Sequence, residues 1–209
     1  MGAPLTHSFV PFSPPRLVTL RLYGTKSAIS RFVGLIGMSS PLHDVATQVY
    51  DDFMSTVSAN VSLAKKVLTA YYECPGLNHP RQADRLTISY DFEKDHLVFD
   101  SRSHSSSASD PKSNLRLEFN GVATLGVDAM IKRTFPHFPL GDVRVFAVEG
   151  LKLRGVRYRW MLPKMKNLSH LRLDNLDISP ALDALSPANR GSSEIVTNVT
   201  KTRSIHPRA

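Results

Sequence analysis

Cysteine is almost absent from this chain of 209 residues: Cys74 stands alone, so no intrachain disulfide can form and nothing ties the protein to an oxidising compartment. No stretch approaches the roughly 20 apolar residues that a membrane-spanning helix requires. Pro4, Pro11, Pro14 and Pro15 interrupt the apolar character of the amino terminus, where a secretory signal would lie. The expectation is a soluble intracellular protein, in cytoplasm or nucleus, that makes no use of a membrane. Catalytic strings are missing too, since no P-loop, GxGxxG, GxSxG or HExxH occurs. The eight histidines are scattered, and Cys74 with His79 offers only two of the roughly four ligands of a structural zinc. Asp91, Glu93, Asp95 and Asp100 lack the glycine and terminal glutamate of a calcium loop, and read as a solvated hairpin tip. Cys74 falls at a helix C-terminus, where the dipole disfavours a thiolate. No catalytic residue, metal site or cofactor is expected.

Acidic side chains are in short supply: 18 Asp and Glu stand against 26 Lys and Arg, a net charge of +8. That balance favours an acidic partner, whether protein segment, nucleic acid or anionic surface, without choosing among them. An apolar content of 42% allows a real core, so any disorder is local.

What the chain does have is a recurring tripeptide: Leu20-Arg21-Leu22, Leu115-Arg116-Leu117, Val143-Arg144-Val145 and Leu171-Arg172-Leu173. Arg116, Arg144 and Arg172 follow one another at intervals of 28 residues. Leu17, Leu140 and Leu168 add the leading apolar position of an LxxLxL frame, and Leu168, Leu171, Leu173, Leu176 and Ile178 extend it. Asn120 fills the asparagine position of that frame two units earlier. Weaker units centre on Leu42 with Val45 and Thr47, and on Leu86 with Ile88. Spacings of 25 and 29 residues fit the roughly 20 to 29 of a leucine-rich repeat, whereas Val45 to Leu86 spans 41. The reading is an irregular leucine-rich-repeat-like α/β solenoid with a parallel sheet and flanking helices, in short a binding surface.

Residues 1–15 read as a flexible leader, 16–187 as the repeat domain and 188–209 as a disordered basic tail. Inside the domain, strand Arg16–Tyr23 precedes a helix capped by Ser27 and faced by Ile29, Phe32, Val33 and Ile36 up to Gly37. A longer helix capped by Asp51 or Asp52 carries Phe53, Val57, Val61, Ala64, Leu68 and Tyr71 before Pro75-Gly76 ends it. Leu86, Ile88 and Tyr90 alternate opposite Leu97 and Phe99 as a hairpin around Glu93-Lys94-Asp95, an insertion foreign to a simple repeat array. The serine-rich run 101–114 reads as a mobile loop. Strands Leu115–Phe119, Val143–Val148 and Leu168–Leu173 then alternate with helices around Val127–Thr134 and Val156–Leu162, and a last turn falls near Leu182. Lys152, Arg154, Arg157, Tyr158, Arg159 and Trp160 mimic a nucleic-acid patch, but Val156 and Trp160 at helical spacing point it inward.

Pleat alternation places Arg116, Arg144 and Arg172 on the face opposite the core leucines, with Arg21, Phe146 and His170 beside them as the candidate partner-binding set. Stacked on strands about 4.8 Å apart, such cations would repel one another by on the order of 1 kcal/mol in water. Two arrangements would relieve this. Glu118, Asp142 and Asp174 could interleave with them, or an acidic or phosphorylated partner could receive their guanidinium forks.

Arg16-Leu-Val-Thr-Leu-Arg-Leu-Tyr-Gly24, Met38-Ser-Ser-Pro-Leu-His43 and Leu162-Pro-Lys-Met-Lys-Asn-Leu-Ser-His-Leu-Arg-Leu173, running into Ile178-Ser-Pro-Ala-Leu-Asp-Ala-Leu185, give the segment 16–187 a resemblance. It resembles the carboxy-terminal region of the F-box/leucine-rich-repeat-like proteins of mushroom-forming fungi. The resemblance implies target selection by the repeat surface, for a ubiquitin ligase assembled on the Skp adaptor and a cullin. No LPxEI-type F-box helix is found between Met1 and Ala209, so the Skp-cullin connection applies only with an F-box upstream. The functional expectation is a non-catalytic protein-protein interaction module. The alternative is a polyanion binder that uses the arginines and the basic tail, with nucleic acid the less favoured partner.

Overall fold

Runs in which every second residue is apolar build the sheet, and longer stretches with apolar residues three and four apart build its helices. The computed structural model describes residues 18–35, 44–50, 56–73, 81–103, 114–151, 155–174, 179, 181 and 198–201. In chain order these give β1 (Thr19–Gly24), α1 (Lys26–Leu35), β2 (Asp44–Val49), α2 (Val57–Tyr72), β3 (Arg85–Asp91) and β4 (His96–Arg102). There follow β5 (Asn114–Phe119), α3 (Thr124–Thr134), β6 (Val145–Glu149), α4 (Gly155–Met161), β7 (His170–Asp174) and β8 (Asn198–Lys201). The fold is α/β, a mostly parallel mixed sheet flanked by helices. No described helix is long and apolar enough to cross a membrane.

The eight strands lie in the order β1-β2-β5-β4-β3-β6-β7-β8. Only β4 runs against the rest, being antiparallel to both β3 and β5. The anticipated hairpin is therefore real, and it sits in the middle of the sheet. It reverses the order there: the chain leaves β2, passes over two strand positions to lay down β3, and returns through β4 to β5 beside β2. α2, with 16 residues and hence about 24 Å long, is ample for that crossing of about 14 Å. The expectation that Arg116, Arg144 and Arg172 occupy consecutive strands is corrected by this insertion.

One face of the sheet is buried. Leu20, Val45, Val49, Leu86, Ile88, Leu97, Phe99, Leu115, Leu117, Phe146, Val148, Leu171 and Leu173 join α-helical Ile29, Val33, Val61, Leu68, Val127, Met130 and Met161 in a single apolar cluster. Trp160 packs against it, 5.6 Å from Phe135, and Tyr158 is buried within it. The inward reading holds for Trp160; Tyr158, grouped by sequence with the basic residues, turns inward as well, and Arg157 reaches Asp128 on α3.

Several boundaries differ from expectation for identifiable reasons. Thr25, rather than Ser27, caps α1: its hydroxyl accepts from the Ala28 N–H. Thr56 caps α2 and accepts from the Ala59 N–H, while Asp51, Asp52 and Phe53 lie outside the described residues. The run 101–114, read as a loop, is strand at both ends: Ser101 and Arg102 complete β4, with Ser101 buried and its hydroxyl 2.6 Å from the Tyr72 phenol, and Asn114 opens β5, while 104–113 lie outside the described residues. Within the segment read as a disordered tail, Asn198–Lys201 pairs in parallel with β7. The β-branched Val199-Thr200 pair suits that extended state. Leu17, Ile36, Gly37, Leu42, Cys74, Pro75, Gly76, His79, Lys152, Arg154, Leu176, Ile178, Leu182 and the leader 1–15 also fall outside the described residues.

Candidate functional site

The opposite face of the sheet carries the residues of chemical interest. Strand register sets them in rows. The first row reads Thr19, Asp44, Asn114, Arg102, Arg85, Val145, His170, Asn198. The second reads Arg21, Ala46, Arg116, Asp100, Thr87, Ala147, Arg172, Thr200. The third reads Tyr23, Gln48, Glu118, Val98, Ser89, Glu149, Asp174. Ala147 and Val98 belong to this face and stand apart from the apolar cluster although both are buried. The cations thus all fall in the first two rows, with Asp44 and Asp100 among them, while the charged residues of the third row, about 7 Å further along the strands, are all carboxylates.

Three of the expected residues share the second row: Arg21, Arg116 and Arg172. Two strand spacings separate the first pair and four the second, about 10 Å and 19 Å. Both gaps reach or exceed the Debye length of about 8 Å at physiological salt, so the mutual repulsion expected of a tight ladder does not arise. His170 lies one row away on β7, exposed, with Nδ1 2.9 Å from the Ser169 hydroxyl.

Arg144 and Phe146 require correction. The Arg144 and Val145 N–H groups both donate to the Asp84 carbonyl, at 2.8 and 3.0 Å, while the Arg144 carbonyl accepts from Ser169 and His170, each at 2.9 Å. Two residues thus oppose one, as in a β-bulge, and the pleat slips by one position. Val143 stays buried, Arg144 precedes the strand, and Ala147 takes the place beside Arg172. Phe146 consequently turns into the core, fully buried and 5.8 Å from Phe135, and presents no aromatic edge to a partner.

The two halves of the face differ in how their charges are satisfied. On β4 and β5 Asp100 accepts both arms of Arg102, at 2.8 and 3.0 Å, and lies 3.5 Å from Arg116 Nη1. Arg116 Nε donates to Glu118 Oε1 at 2.5 Å. His96 Nε2 stands 3.2 Å from Glu118 Oε2, within ion-pair reach though without hydrogen-bond geometry. Charges alternate along this chain, and the Asp100 hydrogen bonds raise the Arg102 pKa above its already high value. Interleaving by Glu118 is thus as anticipated, whereas Asp100, grouped by sequence with the hairpin tip, lies at the other end of β4 from Asp91.

On β3, β6 and β7 the pattern is different. Among the described residues neither Arg85 nor Arg172 has an ion pair or side-chain hydrogen bond, and both are exposed. Arg144 reaches Asp84 only at 3.5 Å and stays 72% exposed. The repeat frame marks Leu86 and Ile88 and is silent on Arg85; the signal for it lies in the polar alternation Arg85, Thr87, Ser89, Asp91 between the core positions. Asp142 and Asp174, offered as pairing groups, make no ion pair among the described residues. The described residues contain no group of three His, Cys, Asp or Glu side chains placed to hold a metal ion.

The chain matches no family model, no curated protein sequence and no solved structure.

Proposed function

We propose that this protein is a non-catalytic interaction module that holds a partner protein against the face of its sheet on which no described helix packs. The observation that carries this reading is the charge pattern of that face, with exposed arginines confined to two rows and only carboxylates among the charged residues of the third. A broad surface of separated charges selects partners by complementarity and excludes like-charged ones. The strand and helix units are read as leucine-rich-repeat-like, with the hairpin β3–β4 as an interruption. With an F-box upstream, the face would be the substrate-recognition part of an F-box-type ubiquitin ligase, acting in cytoplasm or nucleus.

A photo-crosslinking side chain in place of Thr87, at the centre of the face, tests the reading against one in place of Leu125, which is 96% exposed on α3. Specific capture of one protein from Thr87 and none from Leu125 is expected. Equal capture from both positions, or none from Thr87, overturns it. The polyanion alternative predicts retention of heparin and random DNA with a steep salt dependence. Pairing of Arg102 and Arg116 with Asp100 and Glu118 counts against it.

A further inference from the structure

Resting on that reading, we infer that the β3–β6–β7 corner of the face receives a single dianionic group, a phosphorylated side chain of the partner, followed along the strands by basic residues of the same segment. Arg85 and His170 flank Val145 in the first row, one strand to either side, and Arg172 flanks Ala147 in the second. β3 and β7 are two strand spacings apart, roughly 10 Å, so two long guanidinium side chains can converge over the low floor formed by Val145 and Ala147. Ala147 is 3% exposed and raises no side chain into that space. Thr87 opposes Ala147 on β3 and supplies a hydroxyl at the margin. Arg144 stands at the same edge with its charge only loosely engaged by Asp84.

Among the described residues Arg85 and Arg172 have no carboxylate partner, as Arg21 at the far edge has none, while Arg102 and Arg116 nearby are neutralised internally. Unpaired arginine forks suit phosphate oxygens, which accept bidentate charge-assisted hydrogen bonds. The third row decides the class of partner. Glu149 and Asp174 lie beyond Ala147 and Arg172, two residues or about 7 Å along β6 and β7. A nucleic-acid backbone or an anionic bilayer laid over the arginines would bring its next charges onto these carboxylates. A peptide avoids that clash by carrying one concentrated negative group and then, two to four residues along an extended chain, positive ones.

The test uses the full chain, immobilised at about 0.15 M salt, and two peptide libraries that differ only in whether a fixed serine is phosphorylated. We expect the phosphorylated library to be retained about ten- to hundredfold better, the worth of one or two charge-assisted hydrogen bonds. Lysine or arginine should be selected two to four residues from the phosphoserine. Arg85→Ala with Arg172→Ala should abolish the preference, and since both side chains are exposed and unpaired, the variant should keep the native circular dichroism. Glu149→Lys with Asp174→Lys should abolish the selection of basic flanks alone. Equal retention of the two libraries, acidic flanks in the selected peptides, or full competition by random DNA would each overturn the inference. The broader reading has its own arm: a partner captured through position 87 equally before and after phosphatase treatment sinks the phosphate site alone, whereas no capture there sinks the interaction face itself.

Discussion

Asp100 grips the Arg102 guanidinium with both carboxylate oxygens, at 2.8 and 3.0 Å, and in the same position reaches Arg116 on the neighbouring strand. A neutral group of the same shape would leave two cations, diagonal neighbours on adjacent strands, without their shared anion. For Asp100→Asn we expect a loss of about 1 kcal/mol in urea denaturation, since exposed pairs are individually weak and a network is worth somewhat more. The loss should shrink in high salt. The same variant should elute later from heparin, because the released arginines become available to an external polyanion. Unchanged elution would mean that internal pairing is not what withholds them.

How much of this was legible beforehand varies with the range of the interaction. Period-two runs at Leu115–Leu117, Leu171–Leu173 and Leu86–Tyr90 identified strands, because alternation is a local property that burial on one face enforces. The row shared by Arg21, Arg116 and Arg172 was likewise in the repeat phase. The swap of β3 and β5 was not, for strand neighbours are chosen by packing across the whole sheet, and only the 41-residue interval and the hairpin inside the repeat array hinted at it. Arg144 was misplaced by the strictness of the 28-residue spacing, since a single bulge at Asp84 undoes a periodicity that no side chain advertises. Asp100, 16 residues before Arg116, became its partner only through the antiparallel register of β4 and β5.

Gly150 follows β6 with φ +64°, and a Cβ there would come within 2.1 Å of the Tyr90 carbonyl oxygen. The obstacle is backbone, which cannot swing away as a side chain can. Gly150→Ala should therefore cost at least about 2 kcal/mol, from left-handed strain and the displaced strand together. Gly141→Ala is the control, for nothing lies within 4 Å of a Cβ at that site. Chemical denaturation of the two variants should separate them clearly; similar midpoints would contradict the close approach of β6 and β3 at this point.

Tyr90 fastens the hairpin tip to the start of α3, its hydroxyl lying 2.7 Å from Asp95 Oδ1 and 2.8 Å from the Val122 carbonyl. One hydrogen must be shared between the two acceptors. Tyr90→Phe removes it and leaves the carbonyl without this donor, a cost of about 1–2 kcal/mol. Hydrogen exchange at the Val122 amide, which donates to the Asp95 carbonyl, should accelerate more than exchange in α2. Uniform acceleration across the molecule would indicate a global effect and argue against a local clasp.

Alkaline pH offers a test of the core. Burial pushes the Tyr158 phenol up to about 12 and drives Tyr72 higher still, the latter only partly countered by its hydrogen bond with Ser101. Burial also raises Tyr90. In the unfolded chain these phenols lose their protons near 10, so above that pH the folded state holds more protons than the unfolded one. Stability is then fully present below about pH 10 and falls as pH rises from there through the raised native values, at up to about 1.4 kcal/mol per pH unit for each buried phenol. Denaturation free energies measured from pH 8 to 11.5 should be flat at first and then drop. In Tyr72→Phe with Tyr158→Phe the alkaline slope should be shallower by the share of two phenols, even though the variant starts from lower stability through loss of the Ser101 contact. A slope identical to that of the parent chain would mean that these rings reach solvent in the native state.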